Sequence, residues 1–109
     1  NNFFGTLNIV KLANKFNIEK FILISSDKAV RPTNIMGATK RLSEMVVQAY
    51  AHSVINNSKR TIFSIVRFGN VLASSGSVIN KFNDQIKNRE PLTVTHPEVT
   101  RYFMPIYEA

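Results

Sequence analysis

An apolar run, Phe21-Ile22-Leu23-Ile24, stops abruptly at Ser25-Ser26-Asp27-Lys28. Polar side chains at the end of a buried strand cost free energy unless they are partnered or put to use. A little further on, Met36-Gly37-Ala38-Thr39-Lys40 opens a helical pattern, and the four-residue spacing puts Met36 and Lys40 on one helix face. A strand end bearing hydroxyl, carboxylate and ammonium, facing a helix with a second ammonium, is an acid–base constellation. Its position agrees, because ligands of parallel α/β sheets bind beyond the carboxyl ends of the strands. The plainer readings are a solvated turn for Asp27-Lys28, a surface lysine beside Arg41 for Lys40, and a core-filling thioether for Met36. A thioether neither gives nor takes a proton, so Met36 itself cannot act as acid or base.

The elements that must position these residues alternate. A 3.6-residue period in Phe4, Leu7, Val10, Leu12, Ala13 and Phe16 predicts an inward helix face over about 2–17, with Asn17 as its stop. Lys20 to Ser25 reads as a strand buried on both faces, its apolar run being continuous. Thr33 or Asn34 can cap a helix from about Ile35 to Ser53, with Leu42, Met45, Val46 and Ala49 inward. Asn56-Asn57-Ser58 is a turn. Thr61 to Val66 is a second buried strand, and Gly69-Asn70 and Ser74-Ser75-Gly76 punctuate a loop. Val78 to Lys87 is a helix, Leu92 to Val94 a short strand, and Arg101 to Met104 an extended segment. This order predicts an α/β fold with a parallel sheet and helices on its faces.

At 109 residues the chain makes at most one domain. It has four Gly, opens just ahead of a helical pattern and closes at Tyr107-Glu108-Ala109 with no terminal signal, so it reads as an internal piece of a larger protein whose parallel sheet would show an open edge. The absence of Cys excludes disulfides, thiolate nucleophiles and Cys-based zinc sites. His52 and His96 lack partners at metal-ligand spacing, so no metal site is expected. No apolar run reaches membrane-spanning length, and the first residues lack the basic start and apolar stretch of a signal peptide, so any anchor of the parent is expected outside this chain. Fourteen Lys and Arg against seven Asp and Glu give a net charge of +7, which suits a polyanionic ligand. The cations are scattered without an aromatic platform, which ranks nucleic acid last. Ser74-Ser75-Gly76-Ser77 lacks the Lys and the spacing of a phosphate-binding loop.

Ser26, Asp27-Lys28 and the Met36/Lys40 spacing resemble the extended short-chain dehydrogenase/reductases, and within them the polysaccharide-biosynthesis branch of nucleotide-sugar 4,6-dehydratases. In that superfamily a strand-end Ser or Thr works with Tyr-x-x-x-Lys on the next helix. Ser26 and Lys40 fit, while Met36 stands in place of the Tyr, as in the large, membrane-linked members that act on UDP-N-acetylglucosamine. Asn2-Phe3-Phe4-Gly5-Thr6, Arg67-Phe68-Gly69-Asn70-Val71-Leu72 and Thr95-His96-Pro97-Glu98-Val99-Thr100-Arg101-Tyr102-Phe103-Met104 extend the resemblance over nearly the whole chain. Arg31, where the family commonly has Asn, and Ala73, where it commonly has Gly, depart from the pattern in loops.

The resemblance implies the C-terminal part of an NAD(P)-binding Rossmann-like domain running into the substrate region across 1–109. It implies oxidation at sugar C4 by hydride transfer to NAD or NADP, elimination of water across C5 and C6, and return of the hydride to C6. Lys28 would take the C5 proton and Asp27 would give one to the departing C6 hydroxyl, although the residues alone do not fix which is acid and which is base. Lys28 must then be neutral, and Asp27 protonated, part of the time, which desolvation or like-charge neighbours must bring about. Lys40 would hold the nicotinamide ribose and ease proton loss from its neighbours. Either Asp27 or a water on Ser26 would receive the C4 proton. Ser25 and Asn2 fall on the cofactor side, Asn2 serving equally well as a helix cap. Ser26, Asn70 and Arg101 would bind substrate, Arg101 as a fork on the diphosphate. The expected partner is a UDP-sugar in the cytoplasm of a bacterium, with the parent a homo-oligomer linked to the inner membrane. The rivals are a nucleotide-sugar epimerase of the same fold and a non-catalytic nucleotide-binding module.

Overall fold

The computed structural model describes residues 2–56, 61–72 and 77–109. The chain forms two units, one running through Phe68 and the other from Gly69 to Ala109.

In the first unit, helix α1 (Asn2–Lys15) leads to strand β1 (Lys20–Ser26), a 3₁₀ turn (Asp27–Ala29), helix α2 (Ile35–Asn56) and strand β2 (Ile62–Phe68). β1 and β2 are parallel and in register from Lys20↔Ile62 to Ser26↔Phe68. α2 packs on both strands, and α1 packs on α2.

Local chemistry sets the helix ends. Asn17, at φ 50°, takes the left-handed conformation that asparagine tolerates, and Ile18 N–H reaches back to Ala13 C=O at 3.2 Å. This closes α1 where the sequence expects its stop. Of the two candidate caps for α2, Asn34 does the work: its Oδ1 accepts from Gly37 N–H at 2.8 Å. Asn34→Ala in the whole protein is expected to cost about 1 kcal/mol, read as a lowered denaturation midpoint. An unchanged midpoint would show that α2 does not depend on this cap.

Several faces differ from expectation. β1 alternates rather than being buried on both sides: Phe21, Leu23 and Ser25 turn toward α2, whereas Ile22, Ile24, Ile62 and Val66 are 41–58% exposed. Only one face of this pair carries a helix layer among the described residues. On α2, Leu42, Met45 and Ala49 face outward, and the buried positions are Gly37, Ser43, Glu44 and Val47. The cause is polar: Ser43 Oγ donates to Asn2 C=O at 3.0 Å, and Glu44 pairs with β2, so hydrogen bonds turn this face inward. On α1, Val10 and Ala13 are buried while Phe4, Leu12 and Phe16 are exposed. Phe21 and Phe63, opposite each other in register, pack with ring centroids 5.6 Å apart and planes tilted by 48°.

In the second unit, β3 (Asn70–Val71) pairs in parallel with β4 (Phe103–Met104), and α3 (Val78–Lys87) has the expected limits. Leu92–Val94 is not a strand. The Thr93 N–H bonds the Gln85 side chain at 3.3 Å, and the Gln85 amide donates to Thr93 Oγ1 at 3.2 Å, so a side chain of α3 takes the place of a neighbouring strand. Asn1, Asn57, Ser58, Ala73 and Ser74-Ser75-Gly76 lie outside the described residues.

Candidate active site

The β1 run ends in a built turn. Ser26 has extended backbone and caps the 3₁₀ turn, its Oγ accepting from Lys28 N–H at 3.3 Å. The same hydroxyl donates to Asp27 Oδ1 at 2.9 Å, and Lys28 Nζ donates to that oxygen at 3.0 Å. Asp27 Oδ1 thus collects a hydroxyl and an ammonium at the carboxyl end of a parallel strand. The side chains are accessible, 57% exposed for Asp27 and 35% for Lys28. An ion pair this exposed adds little stability.

The Asp27 carboxyl is held below its ordinary range, chiefly by the Lys28 hydrogen bond, with the Ser26 hydroxyl adding to it against a desolvation effect of opposite sign. This reverses the expectation that its surroundings raise it. A cation at 3.0 Å with water access favours the charged carboxylate. Asp27 therefore rests ionised.

The first turn of α2 abuts this strand end. Gly37 is required there: a Cβ at this position would lie 2.5 Å from the Lys28 carbonyl oxygen and 3.3 Å from Pro32 Cβ. One turn along, Lys40 Nζ reaches the Ile24 carbonyl at 3.4 Å, so its ammonium lies at the end of β1. Met36 is 47% exposed within this chain. Asn2 Nδ2 donates to Thr39 Oγ1 at 3.3 Å, and Thr39 Oγ1 donates to the Met36 carbonyl at 2.9 Å. Asn2 thereby braces the turn between Met36 and Lys40 instead of touching Lys40.

Ser25 is buried, and sequence reasoning missed what lies beside it. Glu44 is wholly buried. Its carboxylate accepts from Arg67 Nε at 2.7 Å and Nη2 at 2.5 Å, and from Arg41 Nη1 at 2.8 Å. The Ser25 hydroxyl exerts a weaker pull on that carboxylate without reaching hydrogen-bond geometry. The signal was present: a lone Glu four residues after Lys40, and a lone Arg inside an apolar strand. The Arg67 guanidinium lowers the Glu44 carboxyl from 4.5 to about 2. Folding therefore favours the carboxylate, so its stabilising contribution is complete above pH 4.5 and is lost as pH falls toward 2. The stability gap between wild type and Glu44→Gln is expected to be up to roughly 3 kcal/mol near neutrality and to close through that window. A gap that stays constant with pH would contradict the ion pair.

In the second unit, Asn70 lies opposite Phe103 in the β3–β4 register, and Arg101 precedes β4 by two residues. Arg101 is exposed, with Nη1 on the carbonyl of Thr100 at 2.8 Å. Among the described residues no cluster of three or more His, Cys, Asp or Glu could hold a metal, and no helix is long and apolar enough to cross a membrane. His96 Nδ1 accepts from Glu98 N–H at 3.3 Å.

Parallel strands joined through a helix, with polar groups gathered at their carboxyl ends, define a Rossmann-like α/β arrangement. The chain belongs to the polysaccharide biosynthesis protein family, which matches it over residues 1–109. It is 54% identical over 109 residues to the capsular polysaccharide biosynthesis protein CapD of Staphylococcus aureus, covering 100% of this chain and 18% of that one. It is 41% identical over 108 residues to a UDP-glucose 4-epimerase of Rickettsia bellii, covering 99% of this chain and 31% of the epimerase. The X-ray structure of Pen from Bacillus thuringiensis is similar with a TM-score of 0.93 at 41% identity, over 99% of this chain and 34% of its own. The chain thus spans less than a third of the length of these two curated relatives.

Proposed function

We propose that the whole protein is an NAD(P)-dependent 4,6-dehydratase of UDP-N-acetylglucosamine, forming a 4-keto-6-deoxy sugar nucleotide for bacterial polysaccharide. The observation that carries this reading is the Ser26–Asp27–Lys28 set at the strand end, with Lys28 Nζ 3.0 Å from Asp27 Oδ1. Elimination needs one group to take the C5 proton and another to protonate the departing C6 hydroxyl, whereas simple C4 epimerisation needs neither. One proton moving from Lys28 to Asp27 along this hydrogen bond leaves a neutral amine and a carboxylic acid. Substrate covering the exposed pair excludes water and favours those neutral forms. Lys28 then takes the C5 proton and Asp27 gives its own to the hydroxyl leaving as water, which restores the ion pair. Ser26 contacts the sugar hydroxyl, and Asn70 and Arg101 bind the nucleotide sugar.

NAD(P) fits the donors on this side: the Lys40 ammonium at the end of β1 suits a ribose hydroxyl, and Asn2 braces the Lys40 turn through Thr39. When bound, the cofactor supplies the acceptor and donor of hydride. Ser25, beneath the same strand end, supports that side from within.

The UDP-glucose 4-epimerase relative favours a second reading, interconversion of hydroxyl configuration without loss of water. Mass analysis of product from the whole protein and UDP-N-acetylglucosamine separates the two. Loss of one water supports the dehydratase, an isomer of unchanged mass the epimerase, and unchanged sugar with bound nucleotide a non-catalytic module.

A further inference from the structure

We infer that Glu44 is a positioning residue: its buried carboxylate, clamped by Arg67, fixes the helix carrying Lys40 against the strand end carrying Ser26, Asp27 and Lys28. This rests on the function proposed above. Glu44 lies four residues after Lys40, on the same face of α2. Arg67 lies opposite Ser25 in the β1–β2 register. The clamp therefore ties α2 to β2 immediately beside the residue that precedes Ser26, while Lys40 Nζ touches β1 at the Ile24 carbonyl.

Besides this pair, α2 is held by the buried side chain of Val47 and by the Ser43 hydroxyl on the Asn2 carbonyl of α1. Leu42, Met45 and Ala49 face away from the strands, and the close approach of Gly37 fixes only the helix start. Gly37 and Glu44 thus bracket Lys40 along α2. Apolar packing tolerates sliding, whereas a guanidinium with two nitrogens on one carboxylate imposes a plane and a distance. A buried ion pair is a poor stabiliser beside an apolar pair of similar volume, so what it supplies here is geometry.

The test uses the whole protein with UDP-N-acetylglucosamine. Glu44→Gln removes the charge. A double variant, Glu44→Met with Arg67→Met, replaces the pair by apolar chains and need not lose stability. Positioning predicts kcat lowered about 10- to 100-fold in both, with KM kept within about threefold. It also predicts backbone amides of Ser25–Ala29 exchanging about tenfold faster. A folded variant whose kcat stays within about threefold of wild type overturns the inference, whatever the exchange shows. If the double variant does not fold, Glu44→Gln decides by the same criteria. If wild type turns over no UDP-sugar, the proposed function fails by itself and exchange decides: unchanged rates at Ser25–Ala29 overturn positioning, and faster rates sustain it.

Discussion

Lys28→Ala in the whole protein is expected to lower dehydration of UDP-N-acetylglucosamine about 10²- to 10⁴-fold, the usual contribution of a positioned general base. Two effects combine. The amine that takes the C5 proton is gone. The Asp27 carboxyl also loses its hydrogen-bonded cation at 3.0 Å, the main cause of its lowered proton affinity, and with it the source of the proton it hands to the leaving hydroxyl. Lys28→Arg separates base from charge. It keeps a cation beside Asp27, yet a guanidinium does not give up its proton at any working pH. Both variants should therefore be inactive while nucleotide binding persists, because the pair is exposed and adds little to stability. Rates are read from the water-loss product by mass. Turnover of Lys28→Arg close to wild type would mean that Lys28 acts as a charge and that the base lies elsewhere.

Gly37→Ala is the second large effect, and its sign runs against helix propensity. An alanine in place of glycine inside a helix ordinarily gains about 0.5–1 kcal/mol. At position 37 the added carbon would meet the Lys28 carbonyl oxygen at 2.5 Å, a backbone atom that can move only with its whole turn. Net destabilisation of about 1–3 kcal/mol is expected. Displacing the Asp27–Lys28 turn from Lys40 adds a fall in turnover of about 100-fold. Gly5 is the contrast within this chain: a Cβ there meets nothing within 4 Å, so Gly5→Ala is expected to lack the clash met at Gly37. Denaturation midpoints and turnover of the two variants check this together, and equal behaviour would contradict the close approach at Gly37.

The candidate site was legible where chemistry interrupts a pattern. The run Phe21–Ile24 announces a strand, so the sudden Ser25-Ser26-Asp27-Lys28 marks its carboxyl end, and the Met36/Lys40 spacing marks a shared helix face. What periodicity could not show was the direction of α2. Leu42, Met45 and Ala49 form an apolar stripe, yet the buried positions include Ser43, bonded to α1, and Glu44, bonded to β2. Hydropathy counts a buried, fully paired carboxylate as a surface residue, because it has no account of an arginine 23 positions later. Leu92–Val94 misled for a related reason: a short apolar run becomes a strand only beside another, and the Gln85 side chain took that place.

By itself the sequence determined the order of helices and strands in the first unit, the parallel α/β class, the end of α1 at Asn17, the limits of α3 and the residues gathered at the end of β1; it read β3 as loop. These follow from local preferences and from where apolar runs begin and stop. Tertiary structure decided which face of α2 meets the strands, the Glu44–Arg67 clamp and the need for glycine at 37. Each of these depends on distances between residues far apart in the chain, or on the direction of a hydrogen bond, and neither is written in the period of a sequence.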